Sequence, residues 1–273
     1  MLEAEASSET GGMQTSTLIS VTGRASPLRV GPPLNWLGTM KMRRTSLTIA
    51  MLLATAAPAF AQDWAKGFEA VQNKNYEVAL RELVPLANSG NSRAQMMLGH
   101  LHERGLGVEK NNTEAAKWYL KAAENGDVIS QASIGSMYLN GIGITKDYDQ
   151  AMKWFQSAVS NGDLRSMVLI GLMHDEGRSV PIDWAKAASW YRKAATKGYA
   201  SAQNLLGFAY ANGRGVSQNN LWAYVWFTLA SDNGQRQADE DVASIERMMS
   251  NDEIAKAHEI AKNCLDTGYR GCE

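Results

Sequence analysis

The chain has 273 residues, a formal net charge of −1 and 45% hydrophobic residues, enough length for one or two domains. Lysine and arginine are dispersed among acidic residues with no block of like charge, which argues against a nucleic-acid partner and leaves no polybasic patch for a membrane surface. Two cysteines, Cys264 and Cys272, are too few for a disulfide-dense scaffold.

Residues 1–39 are rich in Ser, Thr and Gly, show no periodicity and are expected to carry no fold. Either translation starts at Met40 or Met42, or the segment is a disordered extension. Met40–Ala61 reads as a secretory signal peptide. Lys41, Arg43 and Arg44 form its basic start, Leu47–Ala57 is an apolar run too short to span a bilayer, and Ala59-Phe60-Ala61 fits a small-x-small cleavage site. The mature chain is predicted to begin at Gln62, to lack a lipid-anchored cysteine and any later membrane span, and to be a soluble periplasmic protein. From Gln62 onward the balance is 22 basic against 25 acidic residues, a net charge of −3.

Asp63–Gly90 follows, with Gly67, Ala70, Ala79, Leu83 and Leu86 at helical spacing. It is predicted to be a helix-pair N-terminal cap, residues 62–90.

The next four segments, 91–126, 127–162, 163–198 and 199–234, share one pattern with a step of 36 residues. Gly90, Gly126, Gly162, Gly198 and Gly234 mark their borders. Gly99, Gly135, Gly171 and Gly207 form a second series, and Gly105, Gly141, Gly177 and Gly213 a third. Ala115, Ala151, Ala187 and Ala223 keep the step, as do Trp118, Trp154, Trp190 and Trp226, each followed by Tyr119, Phe155, Tyr191 or Phe227. Ala122, Ala158, Ala194 and Ala230 complete the set. One such unit cannot bury a core alone, so the units must stack.

Within one unit, Val128–Asn140 is predicted to be helix A and Asp149–Ser160 helix B. A Gly-x-Gly loop joins them and Gly162 stops the second. Gly135 and Ala151 lack bulk where helices A and B are expected to approach. Trp154 and Phe155 are expected to fill the space between neighbouring units. The third unit loses the second loop glycine, reading Gly177-Arg178-Ser179-Val180-Pro181.

The pattern small-x-x-x-Leu-Gly-x-x-Tyr-x-x-Gly-x-Gly-Val, then Ala-x-x-Trp-Tyr-x-x-Ala-Ala-x-x-Gly, resembles Sel1-like repeats, relatives of the tetratricopeptide repeat with a longer A–B loop. The resemblance implies an all-α fold, a right-handed α/α superhelical solenoid of stacked helix-turn-helix repeats. It also implies that the A helices line a concave face.

Residues 235–273 are predicted to form a C-terminal helical cap. Ala238–Met249 is an amphipathic helix, Ser250 to Glu253 a capping box, and Ile254, Ala257, Ile260, Ala261 and Cys264 run down the last helix. In an oxidising compartment Cys264 and Cys272 are expected to pair. A zinc site would need more ligands than these two and His258, so no metal is expected.

No catalytic grammar is found. There is no Gly-x-x-x-x-Gly-Lys-Ser/Thr, no His-Glu-x-x-His and no Gly-x-Ser-x-Gly. The Gly-x-Gly loops join helices rather than follow strands, so no cofactor is expected. Some secreted, cysteine-rich relatives have been linked to β-lactamase activity, but here the repeats hold no cysteine pairs and no Ser-x-x-Lys occurs. His102 and His174 fall in the slot of Tyr138 and Tyr210 and read as packing residues.

Counted from the helix-A glycine, the outward positions are −6, −3, +1, +4 and +5. They give Arg93, Met96, His100, Glu103 and Arg104 in the first unit; Ile129, Ala132, Ser136, Leu139 and Asn140 in the second; Arg165, Val168, Leu172, Asp175 and Glu176 in the third; Ser201, Asn204, Phe208, Ala211 and Asn212 in the fourth. Within this face Arg93, His100, Glu103, Arg104, Asn140, Arg165, Leu172, Asp175, Asn204, Phe208 and Asn212 are the candidate contacts for a protein or peptide partner in the cell envelope. The alternatives are an enzyme acting on cell-wall material and a structural subunit of an envelope assembly.

Overall fold

The computed structural model describes residues 59–272. The predicted leader up to residue 58 and the segment before it lie outside the described residues. Twelve α-helices make up the described chain, joined by short turns. They are α1 (Ala59–Gln72), α2 (Tyr76–Asn88), α3 (Ser92–Arg104), α4 (Asn112–Glu124), α5 (Val128–Asn140), α6 (Tyr148–Ser160), α7 (Leu164–Glu176), α8 (Trp184–Ala195), α9 (Ala200–Asn212), α10 (Asn220–Asp232), α11 (Gln237–Glu246) and α12 (Asn251–Asp266). The array is an all-α solenoid. From α1 to α11 each helix packs chiefly on its neighbours in the chain, whereas α12 packs on α10.

Caps fix the register of each pair. Asn91, Asp127 and Asp163 precede the A helices, and each side chain accepts the N–H three residues on. Asn111, Asp147, Asp183 and Asn219 do the same for the B helices. The A–B loop is closed by backbone bonds of equal span, Asn111 N–H to His102 C=O, Asp147 to Tyr138, Asp183 to His174 and Asn219 to Tyr210, at 2.9–3.0 Å.

The second loop glycine lets a loop lie directly on the preceding unit. At Gly143 a Cβ would stand 2.1 Å from the Asn112 carbonyl oxygen at the start of α4. In the third unit Ser179 takes the glycine's place and its left-handed conformation, φ 68°, and its hydroxyl donates to Asp149 at the start of α6.

The helix-A glycines are buried against an aromatic ring of helix B. A Cβ at Gly135 would meet Phe155 Cε1 at 2.6 Å. Gly99 faces Tyr119, Gly171 faces Tyr191 and Gly207 faces Phe227 in the same way. Both aromatics serve the borders, but on different sides. The Tyr or Phe covers its own unit's glycine and joins the cluster with the next A helix, as Phe155 does with Leu169, Ile170 and Met173, while Trp154 leans on the cluster that Tyr119, Ile134 and Met137 form across the border before it. The core is organised at these borders, because each buried cluster joins one B helix to the next A helix. Trp118, Trp154 and Trp190 are only half-buried, whereas Trp226 is fully buried in the cluster that includes the last two helices.

A second device stitches the borders. Gln203 is fully buried; its amide donates to the Ala195 carbonyl at the end of α8 and its oxygen accepts from Asn233 at the end of α10. Gln95 does this with Ala87 and Asn125, and Gln131 with Ala123 and Asn161. The third unit has Met167 and Lys197 at these two positions, so both halves of the stitch are missing together.

At the C-terminus, α11 stops at Glu246, three residues short of the predicted Met249. Ser250 and Glu253 form the reciprocal capping box at the start of α12. Cys264 and Cys272 are joined in a buried disulfide, Cα atoms 5.4 Å apart. Among the described residues, no helix is long and apolar enough to cross a membrane.

Candidate partner-binding face

Three of the five outward positions stay open and two are largely consumed by stacking. At −6, Arg93 and Ile129 are exposed, and Arg165 and Ser201 are half-buried. At +1, His100, Ser136, Leu172 and Phe208 are all half-buried. At +5, Arg104, Asn140 and Glu176 are exposed and Asn212 half-buried.

The −3 position is corrected by the structure. Ala132, Val168 and Asn204 are buried there, and Met96 packs against the cluster that includes the second unit's A helix. Asn204, an expected open contact, donates to the Asp241 carboxylate of α11 at 2.8 Å. The cap thus covers this position, and burial raises the Asp241 carboxyl above its ordinary value while Asn204 opposes that rise. At +4 the units alternate. Leu139 and Ala211 are buried, whereas Glu103 and Asp175 are half-buried and polar.

The Glu103 carboxylate accepts the Tyr119 hydroxyl at 2.8 Å. Burial and the Glu103 charge push the Tyr119 phenol far above its ordinary value, so it remains a donor. The guanidinium groups of Arg104 and Arg165 oppose that shift, which places both within electrostatic reach of the phenol. In the third unit Asp175 replaces Glu103 and is one methylene shorter. Tyr191 OH is buried there without a hydrogen-bond partner. Burial raises the Asp175 carboxyl, and Arg214 opposes the rise.

His100 is held below its ordinary value, chiefly by burial, and is neutral at pH 7. Asn140 and Asn212 donate their amide N–H to their own helices, at Ser136 C=O (2.8 Å) and Phe208 C=O (2.9 Å). Each keeps its side-chain oxygen and its second N–H for a partner. Phe208 stands edge-on to Phe227, ring centroids 5.0 Å apart, and Leu172 rests on the clusters on either side of it. Glu176 pairs with Arg178 on the adjoining loop.

His102 and His174 sit half-buried in the Tyr138/Tyr210 slot, each with a buried Nδ1 that has no hydrogen-bond partner. Three features escaped the sequence reading: the Tyr119–Glu103 pair, the Asn204–Asp241 pair and the Gln–Asn stitches. The stitches had a signal. Gln95, Gln131 and Gln203 keep the 36-residue step, as do Asn125, Asn161 and Asn233.

The family model described as Sel1 repeat matches residues 92–127, 128–163, 164–199 and 200–235. Among solved structures, the chain is similar to a protective antigen present in uropathogenic Escherichia coli strains displaying an SLR fold. Identity is 29% and the TM-score 0.70, over 77% of this chain and 47% of that one. A Sel1 repeat protein from Oxalobacter formigenes is 33% identical with a TM-score of 0.60, over 66% of this chain and 74% of that one. The chain spans about half the length of the Escherichia coli antigen it matches. A search among curated proteins finds no match.

Proposed function

The chain belongs to the Sel1 repeat family, whose fold is a scaffold for protein interaction, and on that premise we propose that it is an exported, non-catalytic adaptor of the cell envelope that holds a protein or peptide partner along its A-helix face. The observation that carries this reading is the division of labour along α3, α5, α7 and α9. Their landmark residues are buried in the stack, while the −6, +1 and +5 residues remain open in every unit. A solenoid whose core is complete leaves such a face free for recognition. Export is supported by the leader pattern in Met40–Ala61 and by the Cys264–Cys272 disulfide, which suits an oxidising compartment.

The test is affinity capture from the native cell envelope with the full chain as bait. It runs beside a variant with Arg93, Asn140, Asp175 and Asn212 changed to Ala. A protein retained by the first and lost from the second, with both folded, supports the adaptor. The same protein retained by both moves binding to another face and favours a structural subunit.

A further inference from the structure

Among the described residues, Arg93 and His100 on α3 and Arg165 on α7 make no hydrogen bond or ion pair, though the Glu103 charge acts on His100. Arg165 is half-buried, and its charge reaches the Tyr119 phenol two units away. A guanidinium keeps its charge at any working pH and presents five N–H donors in a planar fork. Held partly out of water with none of them paired, it favours a carboxylate, which it binds through two parallel charge-assisted bonds. Glu103 on α3 already accepts the Tyr119 hydroxyl, and Asp163 beside Arg165 already accepts the Ser166 N–H as the cap of α7.

The rest of the face differs. Ser136 and Asn140 between the arginine-bearing units each donate one bond to their own helix, at Ala132 C=O and Ser136 C=O. Their oxygens remain, and these suit the N–H groups of an extended backbone. Further along, Leu172 and Phe208 are half-buried apolar side chains.

We propose that this groove reads an extended acidic peptide segment, with carboxylates on Arg93 and Arg165 and an apolar side chain against Leu172 and Phe208. The proposal rests on the groove reading above and adds the chemical class of the partner. At about 10 Å per stacked helix layer, three steps between the four A helices span roughly 30 Å, which about nine extended residues cover.

The test uses fluorescence anisotropy on the full chain with an end-blocked peptide of that length. The peptide carries two glutamates about six residues apart, the spacing of two A-helix steps, with leucine and phenylalanine following the second and Gly-Ser spacing between the glutamates. One twin has glutamine for glutamate and another has lysine. The glutamate peptide is expected to bind at least tenfold more tightly than its glutamine twin. Arg165→Gln removes that difference, and Arg165→Glu prefers the lysine twin, with thermal midpoints unchanged. Equal binding of the glutamate and glutamine peptides, lost in Phe208→Ser, overturns the acidic class but keeps the groove. Binding that survives both Arg165→Glu and Phe208→Ser lies elsewhere and overturns the groove reading itself. Failure of all three peptides to bind, or tighter binding of an oligogalacturonate than of the glutamate peptide, overturns the proposal.

Discussion

The ring of Phe155 on α6 occupies the space where a side chain on Gly135 of α5 would begin, since a Cβ there would lie 2.6 Å from Phe155 Cε1 and 2.7 Å from Cδ1. Glycine costs helix stability by about 1 kcal/mol relative to alanine. The close approach must outweigh that cost. Gly135→Ala is therefore expected to destabilise by about 1–3 kcal/mol through overpacking. Gly135→Ala combined with Phe155→Leu should cost less than the sum of the two single changes. Urea midpoints measured as a double-mutant cycle decide this, and a stabilised Gly135→Ala would remove the argument.

The division between ring and indole gives a ranking. Phe155 is fully buried and Trp154 half-buried. Phe155→Ala should cost about 3–5 kcal/mol, and Trp154→Ala less, despite the larger side chain. Equal losses in thermal unfolding would contradict the assigned packing.

Two glycines of the same backbone handedness should respond differently. Gly126 has φ 83° and open space at its Cβ position, whereas Gly143 has φ 71° and the Asn112 carbonyl oxygen 2.1 Å from it. Gly126→Ala is expected to cost only the left-handed strain, about 1–2 kcal/mol. Gly143→Ala must also separate the loop from α4 and should cost clearly more. Chemical denaturation of the two variants measures the difference.

The missing stitch in the third unit can be restored. Met167→Gln together with Lys197→Asn places both amides where the other units have them, with the Val159 carbonyl as the expected acceptor. The pair should raise stability by about 1 kcal/mol, the net value of such bonds. Met167→Gln alone should not, because its buried side-chain oxygen then lacks a donor. A double variant no more stable than the single would show that the third border is stabilised by other means.

Much of this architecture was legible in the sequence because it recurs. Gly90 to Gly234 set the period, Val128–Asn140 was read as helix A with the bounds found, and the Ser250–Glu253 box marked the start of α12. The open face was legible only in part. Helical spacing places Ala132, Val168 and Asn204 on the same side as His100, but it does not reveal that the next helix covers the −3 position. In the fourth unit that cover comes from Asp241 of the cap, which carries no repeat signal. The close approach of Gly135 to helix B was legible, but not that the Phe155 ring is what it meets, because Ala151 and Phe155 lie on the same side of α6 and only packing shows which of them fills the space.

Asp175 gives the pH dependence. Burial raises its carboxyl in the folded chain above the unfolded value. The folded state therefore binds the proton more readily, and stability is fully gained below the unfolded value and falls as pH rises through the raised one. Asp175→Asn removes the charged, half-buried form. It is expected to raise the thermal midpoint at pH 7 and to lose that advantage below about pH 4, the ordinary carboxylate range. An Asp175→Asn midpoint lower than that of the parent at pH 7 would mean that the attraction to Arg214 dominates.

The central claim is that recognition occurs on the A-helix face, and site-specific photo-crosslinking in the native envelope tests it most directly. A photoreactive residue is placed at Ser136, half-buried on the α5 face, or at Gln156, exposed on α6. A partner captured from position 136 and not from position 156 is the predicted result. A partner captured from position 156 and not from position 136 would contradict the account.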